Sequence, residues 1–213
     1  TVASTHVVIA ASGYINPSSS SGLHDVIGGS YQGNVVGDTY LEITGDIKMM
    51  GGNHLNPGCV KGDGTSGDAT NIPDVYVGGN ATLIYDNKNS TASPSIEGTY
   101  GCEMRGNVTL DIRSGRANEI CGTQEFVDTS IIRGDLHIIA GSPDYENTDR
   151  TLRLNANWPI VGAGNLFAAE PGAVGNYTVG GDITIDTYEN VWAWDKGTEP
   201  DSDDLPNIYG ALR

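Results

Sequence analysis

Five segments of the chain carry one pattern: an apolar residue, any residue, glycine, Asp or Asn, an apolar residue, any residue, an apolar residue. They are Ile43 to Met49, Val77 to Leu83, Met104 to Leu110, Ile132 to Ile138 and Val179 to Ile185. In a β-strand residues two apart share a face, so the apolar positions two before, two after and four after each glycine point the same way. Aligned, they give three inward columns: Ile43, Val77, Met104, Ile132 and Val179; Ile47, Ala81, Val108, Leu136 and Ile183; Met49, Leu83, Leu110, Ile138 and Ile185. The central glycines, Gly45, Gly79, Gly106, Gly134 and Gly181, stand 34, 27, 28 and 47 residues apart. Short strands recurring at such a period are what stacked supersecondary units produce, because each unit cannot bury its apolar face alone. The pattern predicts an all-β chain wound as a single-stranded parallel β-helix (β-solenoid) of five or more rungs with loop insertions. The rule for parallel crossovers makes it right-handed.

The glycine interrupts each side-chain column and lets the backbone approach its neighbour. The next residue, Asp46, Asn80, Asn107, Asp135 or Asp182, forms an outward ladder in which amides can hydrogen-bond along the stack. Arg105 and Arg133 fall at one repeat position and are expected to compensate the acidic surface. The chain is predicted as a single domain over 1–213, with an N-terminal strand or cap at 1–25 that contains the apolar run Val7 to Ala11. Rungs run over 26–195, insertions fall near 52–73 and 142–175, and 196–213 is a tail. Asp86 to Thr99 and Arg113 to Asp128 read as polar excursions from the same side of successive rungs.

The passage from Val26 to Gly45 reads VIGGSYQGNVVGDTYLEITG. Its apolar-x-Gly-Gly segment, Gly-Asn-Val-x-Gly-Asp-Thr turn and alternating strand resemble the glycine-rich repeats of large bacterial cell-surface and secreted proteins of the adhesin kind. The resemblance is close over these residues and looser in the later copies, which keep only the Gly-Asp/Asn strand core. It implies an extracellular or cell-surface β-solenoid and carries no catalytic residues with it.

Composition narrows the function classes. The net charge of −16 argues against nucleic acid as a partner, since phosphate binding requires clustered Lys and Arg. No apolar run approaches a membrane span. The three cysteines, Cys59, Cys102 and Cys121, are too few for a disulfide framework. Cys102 and Cys121 lie within one rung length and are the candidate disulfide, with buried thiols as the alternative. His6, His24, His54 and His137 show no metal-binding spacing. Asp63 and Asp68, in a Gly-rich loop, are candidate calcium ligands, although the alternating ligands and closing glutamate of an EF-hand are missing. No other cofactor is expected.

Trp192 and Trp194 stand two apart on one strand face and, with Trp158 in the long insertion, are a candidate aromatic platform for sugar rings or a protein partner. Asp111, Asp135 and Asp186 lie on or near outward strand positions, where β-helix lyases and hydrolases place paired carboxylates. The expectation from the sequence is a non-catalytic extracellular structural or adhesive module, with self-association into filaments as a variant. Its partners would be itself, other surface proteins or glycans. A carbohydrate-active β-helix enzyme and a carbohydrate-binding module are the alternatives.

Overall fold

The computed structural model describes residues 1–14, 25–48, 54–60, 75–88, 93–123, 129–144, 151–155, 160–163, 176–194 and 207–211. These residues form twenty strands, numbered along the chain, in four sheets; no helix occurs among them, and the strand pairs are parallel. The first sheet runs β1 (Thr5–Tyr14), β4 (Thr39–Lys48), β8 (Ala81–Asn87), β11 (Val108–Ala117), β14 (Leu136–Ala140) and β18 (Ile183–Thr187). Past a bulge between Ile112 and Ser114, β11 also pairs β15 (Leu152–Asn155), which pairs β19 (Val191–Trp194). The second sheet is β7 (Tyr76–Val77), β10 (Glu103–Met104), β13 (Thr129–Ile132) and β17 (Asn176–Val179). The third runs β2 (Asp25–Ile27), β5 (His54–Asn56), β9 (Ser95–Thr99), β12 (Glu119–Thr123), β16 (Ile160–Ala163) and β20 (Ile208–Ala211). A small pair, β3 (Ser30–Tyr31) and β6 (Cys59–Val60), completes the set.

Along each of the three larger sheets the paired strands follow one another in chain order. The inward columns follow from that register. Val77, Met104 and Ile132 are fully buried neighbours in the second sheet, and Leu41, Leu83, Leu110 and Ile138 align, fully buried, in the first. Together with Ile96 and Ile120 from the third sheet they make one apolar core. Leu, Ile and Val suit such columns because β-branched and branched side chains pack against identical neighbours on a pleated surface.

The structure corrects the first copy of the repeat. Val35, not Ile43, bridges Val77; Gly79 donates its N–H to the Gly37 carbonyl at 3.0 Å, and Asn80 donates its N–H to Asp38 Oδ1 at 2.7 Å. The copy is therefore Val35 to Leu41, and Asp38 stands in the ladder where Asp46 was expected. Thr39 occupies the inward position two after the glycine and is buried there. A hydroxyl at an apolar position hid the copy, and the continuing alternation of β4 offered Gly45 instead. Gly45 has φ +116° and lies opposite Asn87 near the end of the strand.

The expected ladder forms with that exchange. Asn107 donates its N–H to Asn80 Oδ1, Asp135 to Asn107 Oδ1 and Asp182 to Asp135 Oδ1, each at 2.9 Å. Each side chain thus accepts from a backbone donor of the next pass. A Cβ on Gly134 would meet the Gly106 carbonyl carbon at 2.8 Å, which is the close approach the glycine was expected to allow.

Stretches read as insertions, excursions or tail contain most of the third sheet, with β6 and β15 besides. The strands β5 and β6 lie within 52–73, β9 ends the 86–99 segment, β12 lies within 113–128, β15 and β16 lie within 142–175, and β20 lies within 196–213. These strands are only two to five residues long, too short for alternation along the sequence to mark them.

Candidate functional site

The third sheet repeats a three-residue pattern in four of its strands: Asp25-Val26-Ile27, His54-Leu55-Asn56, Ser95-Ile96-Glu97 and Glu119-Ile120-Cys121. The central residue points into the core, so its neighbours point away from it. Register then places Asp25, His54, Ser95 and Glu119 in one column, and Glu97 beside Cys121 in the other. An outward column is normally wet, but Asn56, Glu97, Glu119, Ser95 and Cys121 are all buried, Glu97 completely.

His54 Nδ1 and Glu97 Oε1 are 2.6 Å apart, and the histidine side chain keeps 34% of its surface while the carboxylate keeps none. The His54 backbone N–H donates to Asp25 Oδ1 at 3.3 Å, and its ring meets Tyr100 edge to face at 5.9 Å. Burial alone would push the imidazole down; the hydrogen bond and charge of Glu97, helped by Asp25 and Glu119, outweigh it and raise His54 to about 9. Burial pushes Glu97 up to about 7, moderated by His54. Glu119 is also raised by burial, against a hydrogen bond from Ser95 and the charge of His54. The cluster therefore holds protons more tightly than free side chains would. Glu97 has no exposed surface, whereas the His54 ring keeps about a third of its own. This arrangement suits proton binding and ionic contact.

A second assembly lies on the outward face of the first sheet, which bears the columns His6, Tyr40, Thr82, Thr109, His137, Thr184 and Val8, Glu42, Ile84, Asp111, Ile139, Asp186. His6 stacks on Tyr40 with ring centroids 4.5 Å apart, and Tyr40 donates its hydroxyl to Glu42 at 2.6 Å. Burial, then that bond, pushes the phenol up to about 12. Arg113 donates Nη2–H to Asp111 Oδ2 at 2.6 Å, and His137 Nε2 lies 2.7 Å from Asp186 Oδ2.

Arg105 and Arg133 do fall one pass apart, and both hold Glu103, at 3.2 and 2.8 Å. The Arg133 hydrogen bond leads the influences that lower the Glu103 carboxyl. Arg105 also lies over the Tyr76 ring, 3.7 Å from its centroid. These arginines compensate acid on the surface of the second sheet.

The other candidate residues are scattered. Trp192 and Trp194 both lie in β19, Trp192 half-buried. Trp158, Asp63 and Asp68 lie outside the described residues. Among the described residues no three His, Cys, Asp or Glu side chains converge to hold a metal ion. The disulfide joins Cys59 to Cys102, with Cα atoms 6.2 Å apart, and not Cys102 to Cys121. Cys121 aligns with Glu97, which precedes Cys102 by five residues on its pass (97 to 102), and it is a buried thiol on the polar side of β12. Sequence spacing along one pass was the wrong guide, since the disulfide bridges neighbouring passes.

The His54 cluster was overlooked because its members are 43 and 22 residues apart (54 to 97, 97 to 119) and match no contiguous motif. The repeated polar-apolar-polar triplets were the available signal. No helix among the described residues is long and apolar enough to cross a membrane. Comparison with protein-family models, with curated proteins and with solved structures returns no match.

Proposed function

We propose that this chain is a non-catalytic structural or adhesive module of the cell surface or extracellular space, built as a parallel β-solenoid. The observation that carries the reading is the unbroken register of the first sheet from His6 to Thr184, which sets two columns of outward side chains along one continuous face. Five strand spacings of roughly 4.8 Å make that face about 24 Å long. Recurrence of the strands in cyclic order through the sheets supports the solenoid architecture. The Cys59–Cys102 disulfide supports an oxidising compartment. The charged groups of that face are engaged with one another, as in Asp111 with Arg113 and Asp186 with His137, which suits a binding surface of fixed shape.

The test is binding of the purified chain to arrays of glycans and surface proteins, combined with assays for new reducing ends and unsaturated sugars. Retained binding without product is the expected result, with Tyr40→Ala or His137→Ala weakening it. Cleavage of any polysaccharide would replace this reading with the enzymatic one. One observation favours that second reading: Asp111 and Asp186 occupy the same face two strands apart, with Ile139 between. That is roughly 9.6 Å by strand spacing, near the upper carboxylate separation of inverting glycosidases.

A further inference from the structure

Among the described residues the columns of the stack run from the first pass to the last. In the second sheet the column starts at Val2 and ends at Val179; in the first, Val7 leads to Ile185; in the third, Val26 leads to Ile208. Their middle members are buried, whereas Val2 is 49% and Ile208 43% exposed. Of the six large apolar side chains left exposed among the described residues, Val2, Val8 and Tyr31 belong to the first pass, Ile208 and Tyr209 to the last, and Val36 to the second. Among the described residues no strand pairs the outer edges of β1 and β2 in the first pass or of β17, β18 and β20 in the last, and such edges are templates for pairing with another chain.

The two ends also fit each other in detail. At Gly98, Gly122 and Gly162 the place a Cβ would take is occupied by the carbonyl of Gly122, Gly162 and Gly210 respectively. At Gly210 there is nothing within 4 Å, and the same column starts with Gly28, whose Cβ position meets the Pro57 carbonyl at 2.9 Å. In the ladder each Asp or Asn accepts the backbone N–H of the next pass, and exposed Asp182 is its last member. Ser4 stands at the corresponding place in the first pass, since Thr5 pairs Thr39. Charge agrees: the last pass carries Asp182 and Asp186, whereas residues 1–14 contain no acid and bring His6 into the column that ends at Thr184.

Resting on the β-solenoid reading above, we infer that the last pass of one molecule receives the first pass of a second copy, so that molecules stack head to tail in continuous register. The contact places Gly28 over Gly210, Val26 over Ile208, Val2 over Val179 and the Ser4 N–H on Asp182. Such a heterologous contact does not close on itself and propagates into a filament.

The test uses the whole chain at moderate salt, which screens its net charge, in sedimentation velocity and negative-stain microscopy. The expected result is a weight-average mass that rises with concentration, and unbranched filaments one molecule wide. Gly210→Val fills space that is open in the single molecule, so its melting temperature should match the wild type. In the stack the new side chain takes the place of the Gly28 carbonyl and should weaken association about tenfold or more. Ile208→Asp is expected to act in the same direction. A wild type that stays monomeric at millimolar concentration, a closed dimer, or a Gly210→Val protein that associates like the wild type would overturn the stacking. Retained ligand binding by a strictly monomeric protein would leave the proposed function standing and sink only this inference.

Discussion

Two residues illustrate how position in the stack sets the cost of a change. Gly106 has the Gly79 carbonyl where a Cβ would go, so Gly106→Ala must push two passes apart. Overpacking of this kind costs roughly 1–3 kcal/mol, and thermal or urea unfolding should register it. An unchanged midpoint would mean that the passes are not in contact there. The His54–Glu97 pair makes stability depend on pH with a definite sign. His54, raised from 6.5 to about 9, contributes stability that is complete below pH 6.5 and lost as pH rises through 9. Glu97, raised from 4.5 to about 7, holds its proton in the folded state where the unfolded chain has released it, so its contribution falls over that interval. Both act in one direction, and Glu119 adds to it. The melting temperature is therefore expected to fall as pH rises from about 5 to about 9. Glu97→Gln should flatten that slope, and a wild-type slope of opposite sign would contradict the cluster as described. The lowered Glu103 carboxyl acts the other way only below its ordinary range, outside this window.

At the scale of the element, the third sheet is the instructive case. Its strands are only three to five residues long and bury polar side chains such as Asn56, Glu97 and Glu119 outside the core, so no apolar run and no sustained alternation marks them. The strands of the first sheet were legible because one face is buried and the other open. The copy at Val35 to Leu41 was missed for the same physical reason in miniature, with Thr39 buried where an apolar side chain was expected. The disulfide belongs to this scale too, since it ties β6 to the corner before β10 across 43 residues. Closing a loop of that length in the unfolded chain is worth about 4 kcal/mol in the chain-entropy description. Cys59→Ser/Cys102→Ser should thus lower the unfolding free energy by about that amount, while Cys121→Ser should leave the non-reducing peptide map unchanged. A map linking Cys121 to either partner would refute the pairing.

For the whole molecule, a net charge of −16 on a stack of parallel strands predicts self-repulsion. Salt raised from about 10 mM to about 300 mM shortens the screening length to a few ångströms and should raise the melting temperature; a fall would place the dominant charge interactions in the attractive pairs, such as Glu103 with its two arginines. The all-β class, the parallel pairing in register and the Asp/Asn ladder were legible in the sequence, because period-two alternation and a recurring glycine are local properties that survive without knowledge of the fold. Which carboxylate joins which histidine, which cysteines pair and where the first copy of the repeat sits were decided by the tertiary structure. Those facts depend on how many residues separate strands that pair in one sheet, a spacing that varies along the chain and that only packing of the strands around the core sets.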